Sequence, residues 1–234
     1  MREAVIVSTA RTPIGKAFRG AFNDTQAQEM AGHAIAEAVK RSKVSKEEID
    51  DVIIGAAGQQ GSQQGNIARQ SLLRAGLPVS VAGMSLDRQC ASGMMAIATA
   101  AKEITEDGMT ITVGGGVESV SLVRNENFRM DRARDPWLEE NIPSLYMTMI
   151  ETAENVAKRY GISRESQDEY SLQSQMRTAN AQQNGFMDKE IVPLKSTMKY
   201  KDKETGEISS HDAVSYTHRR CRRRLRCRSR WSPY

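Results

Sequence analysis

Short β-branched apolar runs alternate with longer stretches of helical repeat along the first 120 positions of the chain. Residues 4–8 (AVIVS) are such a run, and the breaker ARTPIG after it predicts a buried strand leaving into a loop. Across residues 26–41 the apolar positions Ala27, Met30, Ala31, Ala34, Ile35, Ala38 and Val39 share one face of a helix, with Asn23, Asp24 and Thr25 offering its cap. Ser45 and Glu48, three places apart, make a capping box for a short helix, and VIIGA from Val52 is the next buried strand. Residues 66–75 return to helical spacing and stop at Gly76. Residues 79–86 are a further strand, after which DRQCASG turns the chain into a helix. Its inner face is expected to be Met94, Met95, Ile97, Ala98, Ala101 and Ile104. Asp107-Gly108 ends that helix, and residues 110–113 run as a strand into Gly114, Gly115 and Gly116. Strands alternating with helices predict an α/β domain of parallel strands joined by right-handed crossovers.

Beyond Ser121 the texture changes. The irregular, charged stretch RNENFRMDRARDPWLEEN leads to two helical patterns, residues 149–160 and 164–184, closed by Gly161 and Gly185. Residues 191–194 are short and extended, and KYKDKETGEISSHD is polar enough for a surface hairpin or loop. The pattern divides the chain into an α/β core at residues 1–121, an inserted segment at 122–212 and an arginine-rich tail at 213–234, read as disordered.

Charge sharpens that division. The chain carries 33 basic and 29 acidic residues, but eight of the basic ones are arginines within residues 217–234, so the rest is net acidic. The basic balance therefore says nothing about the partners of the folded part. Two readings of the tail follow: an arginine-rich arm for nucleic acid, or translation out of frame, which the abrupt break in texture favours. No run of 18 apolar residues and no signal-peptide pattern is present, so a cytoplasmic protein is expected, with no membrane partner. Of three cysteines, Cys90 stands alone in the body, which suits a reducing compartment and no disulfide framework.

Chemistry concentrates in SLDRQCASGMMAI, where a strand delivers one cysteine into a tight turn that opens an apolar helix. The free N–H groups and dipole of a helix start favour a thiolate and could hold a developing oxyanion. Small neighbours (Ala91, Ser92, Gly93) leave room for an acyl group. The other reading of spacing alone is that Cys90 is a small buried hydrophobe.

The segment RQCASGMMAI resembles the nucleophile segment of the thiolase family, N-x-x-C-[SA]-S-G before an apolar helix. Four further segments agree in order and spacing: VIVSTARTPIGKAFRG (5–20), GNIARQSLLRAGLP (65–78), VGGGVESVS (113–121) and TAENVAKRYGISRESQDEYSLQSQ (152–175). The resemblance spans about residues 3–212. It implies a thiolase-like layered α/β/α half with an inserted, mainly helical loop domain that covers the coenzyme A, and an acyltransferase activity in which Cys90 takes the acyl group as a thioester. Acyl-CoA and CoA are then the substrates, 3-ketoacyl-CoA being cleaved by CoA or two acetyl-CoA condensed, and no cofactor or metal is implied. Met149, in a stretch similar to the family's M-G-x-T-A-E, would line the acyl pocket, or else is a core methionine on a helix. Gly114 to Gly116 would let chains approach closely, since GGGVES lacks the lysine of a phosphate-binding loop. A homodimer or homotetramer is typical of the family, with residues 65–78 near the contact.

Two departures qualify the resemblance. Asp87 stands where the family has asparagine; it either faces Cys90 and blunts its activation, or caps the following helix. The family's histidine in G-H-P, its second cysteine in C-x-G and its oxyanion-binding asparagine have no counterpart, and His33, His211, His218, Cys221 and Cys227 match none of them. The chain is therefore expected to be inactive alone. A non-catalytic protein that pairs with an intact subunit, or binds nucleic acid through its tail, is the alternative. The ketoacyl synthases share the cysteine-before-helix arrangement, but residues 5–20 and 152–175 favour thiolase.

Overall fold

The structure is a computed structural model that describes residues 2–202 and 204–215. Arg129–Met187 form one compact unit, and the residues before and after them form another.

The larger unit is built on three parallel strands, β1 (Asp51–Gly55), β2 (Ala82–Leu86) and β3 (Thr112–Gly116), in the order β2-β1-β3. β1 pairs on both sides, and all five of its residues are buried. Its side chains alternate between two cores, as a strand's geometry requires. Val52 and Ile54 pack with Ala27, Ile35 and Val39 of α1 (Ala27–Ser42) and with Ile67, Ala68 and Leu72 of α2 (Ile67–Arg74). Ile53 packs on the opposite face with Ala96 and Ala100 of α3 (Ser92–Thr105). Helices on both faces of a parallel sheet give the layered α/β/α arrangement that the alternation of elements predicts.

Caps and turns follow local chemistry. Asn66, at φ 60°, accepts from Arg69 N at 3.0 Å to start α2, and the Ser45 N–H donates to Glu48 at 3.1 Å around the 3-10 turn Lys46–Glu48. α1 begins one residue later than expected, after Gln26, without a side-chain cap from Asn23, Asp24 or Thr25.

Two expectations are corrected. Residues 4–8 form no strand among the described residues, and Val5, Ile6 and Val7 are about 70% exposed or more. A strand exists only where a neighbour takes its N–H and C=O groups, and the three-stranded sheet does not reach these residues. The second correction concerns α3, whose buried positions are Ser92, Ala96, Ala100 and Glu103, whereas Met94 and Ile97 are exposed. β3 reads TVGGG, and a Cβ on Gly114 would stand 2.8 Å from the Ile97 Cα. A glycine strand draws a helix in by its backbone, which only a stripe of alanine and serine permits, so the bulky stripe turns outward.

The hairpin of β4 (Leu194–Lys201) and β5 (Ile208–Ser215) belongs to this unit, although its residues fall within the 122–212 segment. Leu194 packs with Phe22 and Met30, Asn23 exchanges bonds with Lys199 N and O at 2.9 and 2.7 Å, and Lys199 pairs with Asp24 at 3.0 Å. Residues 120–123 form the short α4 (Val120–Val123) in the same unit.

The smaller unit is helical: α5 (Pro136–Asn141), α6 (Met149–Tyr160) and α7 (Arg164–Gln183). Asp135 caps α5 through Leu138 N at 3.0 Å, Thr148 and Glu151 form a capping box on α6, and Gly161 at φ 61° closes it. None of the residues in these three helices is buried. The tail expected at 213–234 lies almost wholly outside the described residues, as do His218, Cys221 and Cys227.

Candidate active site

Cys90 stands at the carboxyl-terminal edge of the sheet, where β2 hands the chain to α3. The turn is held by side chains. The Asp87 carboxylate accepts from Gln89 N at 2.6 Å, which bends the chain enough to hold Gln89 at φ 48°, in the left-handed region. Ser92 is buried and locks the other side: its hydroxyl accepts from Arg88 N at 2.8 Å and donates to Gln89 O at 2.6 Å, with Asp87 further off at 3.4 Å. Ala91 N and Ser92 N donate to Arg88 O and Gln89 O, both at 3.1 Å. Cys90 is left exposed at the crest, as a free thiol.

Asp87 thus neither faces Cys90 through a hydrogen bond nor caps α3, whose cap position is Ala91 with no side-chain bond. It closes the turn two residues on. Cys90 also lies two residues before the first residue of α3 rather than inside the helix.

Glycines seat this turn on the sheet. A Cβ on Gly55, the last residue of β1, would stand 2.2 Å from the Ser92 carbonyl carbon and oxygen, and one on Gly116, the last of β3, would stand 2.9 Å from the Gly93 Cα. The strand ends are also bonded together, Val117 N to Gly55 O and Ala56 N to Leu86 O, each at 3.0 Å. The glycine cluster therefore serves close chain approach beneath the cysteine.

A second network, which the sequence did not disclose, ties the loops beyond β1 and β3. Gln63 is buried and its amide donates to Gly58 O at 2.7 Å and to Glu118 Oε1 at 2.8 Å, while accepting from Ser119 N at 2.5 Å. Ala57 N donates to Glu118 Oε2 at 3.0 Å. Gln63 lies in the polar run GSQQGN, where only its burial, at 1% exposure, separates it from its neighbours.

The remaining candidates stand apart from the Cys90 turn in their bonding. His33 on α1 contacts Pro193 O at 3.0 Å, and His211 on β5 contacts Ser209 Oγ at 3.0 Å. Met149 is the first residue of α6, in the smaller unit, and 74% exposed. Among the described residues no group of three or more His, Cys, Asp or Glu side chains could hold a metal, and no helix is long and apolar enough to cross a membrane.

Comparison with known proteins gives this geometry a context. Residues 4–217 match the family described as thiolase, N-terminal domain. The chain is 40% identical over 200 residues to the 3-ketoacyl-CoA thiolase of Bacillus subtilis (strain 168), covering 85% of this chain and 50% of that protein. It is 38% identical over 210 residues to the β-ketoadipyl-CoA thiolase of Pseudomonas putida, with 83% and 52% covered. It is 39% identical over 204 residues to the acetyl-CoA acetyltransferase of Cupriavidus necator, with 83% and 51% covered. The chain spans about half the length of the curated relatives it matches.

Proposed function

The chain belongs to the thiolase family, and from that premise we propose that Cys90 is the acyl-accepting nucleophile of a thiolase-type acyl transfer on coenzyme A thioesters. The reading rests on one observation: the only cysteine of the body stands exposed on a turn that the Asp87 and Ser92 side chains hold in place. The relatives are named for 3-ketoacyl-CoA, β-ketoadipyl-CoA and acetyl-CoA, which supports a CoA thioester as the substrate.

In the degradative direction the Cys90 thiolate adds to the ketone carbon of a 3-ketoacyl-CoA. The bond between that carbon and its α-carbon breaks, the α-carbon takes a proton, and acetyl-CoA leaves. The acyl group is then a thioester on Cys90. The thiol of CoA attacks it, acyl-CoA departs, and the sulfur of Cys90 regains its proton. The reverse sequence condenses two acetyl-CoA. Two protons must move on and off carbon and sulfur, and among the described residues no general base is bonded to the Cys90 sulfur. The chain by itself therefore acylates without turning over. Met149, exposed at the start of α6, is proposed to line the acyl pocket, and the inserted segment at 122–212 to cover the coenzyme; the family resemblance supports both. It also supports a homodimer or homotetramer.

The test is incubation of the full chain with acetyl-CoA, followed by mass mapping and by a thiolysis assay with acetoacetyl-CoA. An acetyl group on the Cys90 peptide, absent from Cys90→Ala, is expected, with turnover below about 1 per second, the low end for enzymes. Acetylation elsewhere, or none, would sink the assignment of Cys90; turnover in the ordinary range would sink inactivity.

A further inference from the structure

The end of α3 away from Cys90 holds two carboxyl groups that acyl transfer does not use. β1 presents Asp51, Ile53 and Gly55 to the α3 side: Gly55 lies against Ser92, Ile53 packs with Ala96 and Ala100, and the strand's alternation puts Asp51 level with the next turn, at Glu103. Both carboxyls are more than nine-tenths buried, Asp51 being 9% and Glu103 7% exposed. Glu103 Oε2 is buried without a hydrogen-bond partner, and Asp51 Oδ1 accepts from the adjacent Val52 N at 2.6 Å.

Two buried carboxylates without a cation cannot both stay ionised at low cost. The surrounding charges do not help. The approach to β1 adds Asp50, whose carboxylate accepts from Thr110 N and Ile111 N at 2.7 and 3.1 Å. The end of α3 and the turn after it add Glu106 and Asp107, α3 itself carries Lys102 on its exposed side, and β3 has no titratable residue. Arg2 donates to Gly108 O at 2.8 Å and acts on Asp50.

We propose that Asp51 and Glu103 share one proton and act as a proton-linked latch that fixes the base of α3 on β1 and loosens when the second carboxyl ionises. Burial pushes Glu103 upward, helped by the charges of Asp51 and Asp107; burial also pushes Asp51 upward, with Asp50 adding to it against the Val52 N–H. Groups raised in the folded state contribute stability below their unfolded value, about 4 for a carboxyl, and lose it as pH rises through the folded value. The latch is therefore closed in mild acid and weakened toward alkaline pH. It lies on the same helix whose other end follows Cys90, and it stands independently of the reading of that cysteine.

The experiment is thermal unfolding of the full chain and of Glu103→Gln at pH 4.5 and pH 8, together with infrared difference spectroscopy of the wild type at neutral pH. Expected are matching midpoints at pH 4.5, a variant midpoint about 2–4 °C above wild type at pH 8, and a protonated-carboxyl band in the wild type. The same displacement at both pH values, or a variant that melts lower at both, overturns the latch. Should Glu103→Gln fail to fold, the wild-type spectrum decides: a carboxyl band present at neutral pH and lost in Asp51→Asn upholds the shared proton, and its absence overturns it.

Discussion

A side chain on Gly55 has nowhere to go: its first carbon would stand 2.2 Å from both carbonyl atoms of Ser92, and 2.6 Å from Gly93 N. These are backbone atoms at the start of α3, so no rotamer change relieves the overlap. Gly55→Ala must push the helix start, and with it the Cys90 turn, off the end of β1. Overpacking of this kind costs about 1–3 kcal/mol, and a backbone-to-backbone overlap belongs at or above the top of that range. Chemical denaturation should show the loss, and the alkylation rate of Cys90 should change with it. Wild-type stability in Gly55→Ala would contradict the seating of the turn.

The Asp87 and Ser92 bonds predict opposite outcomes for two small changes. Asp87→Asn keeps an acceptor oxygen for Gln89 N, so its stability should stay within about 0.5 kcal/mol of wild type. Ser92→Ala leaves Arg88 N without its partner in a part-buried place, while Gln89 O keeps the main-chain N–H of residue 92, and the loss costs about 1–3 kcal/mol. Urea midpoints of the two variants, measured side by side, check the contrast. An asparagine at 87 as harmful as the loss of Ser92 would mean that the charge, rather than the acceptor, holds the turn.

The sequence made the layers legible because β1, α1 and α2 obey their own periodicities: VIIG is apolar on both faces, and Ala27, Met30, Ile35 and Val39 are the buried stripe of α1. The segment that carries Cys90 was legible for the same reason, as a strand followed by a turn and a helix. α3 was misread because periodicity marks the larger apolar residues as the inner face, whereas Gly55, Gly114 and Gly116 select the small ones. That choice depends on which strand the helix meets, which is a tertiary fact. Residues 4–8 failed differently, since composition can declare a strand's readiness to pair but not the presence of a neighbour.

Asp50 should respond to pH in the sense opposite to the buried pair. The N–H groups of Thr110 and Ile111 hold its carboxyl below the ordinary carboxylate range. A group lowered in the folded state contributes stability above its unfolded value, about 3.9, and loses it as pH falls through the folded value. Unfolding midpoints between pH 5 and pH 2 should therefore fall, and Asp50→Ala should flatten part of that slope while lowering the plateau above it. A variant with an unchanged acid slope would show that the two N–H bonds do not persist in solution.

Gln63 sits where two loops must be tied without a charge, and its amide is the one side chain that can donate to Glu118 and Gly58 while accepting from Ser119 N. Gln63→Leu fills the same space but leaves Ser119 N unpaired, while Gly58 O keeps its bond from Gln60 N and Glu118 its bond from Ala57 N, for about 1–3 kcal/mol. Gln63→Glu asks a sharper question. Ionised, it could still accept from Ser119 N but would set a carboxylate against Glu118 and another acceptor, Gly58 O; protonated, it regains a donor. Its deficit relative to wild type should therefore shrink from pH 8 to pH 5, whereas that of Gln63→Leu should hold steady across the same range. Parallel pH profiles for the two variants would mean that Gln63 contributes only volume, and that the loops beyond β1 and β3 are joined by the strand-end bonds alone.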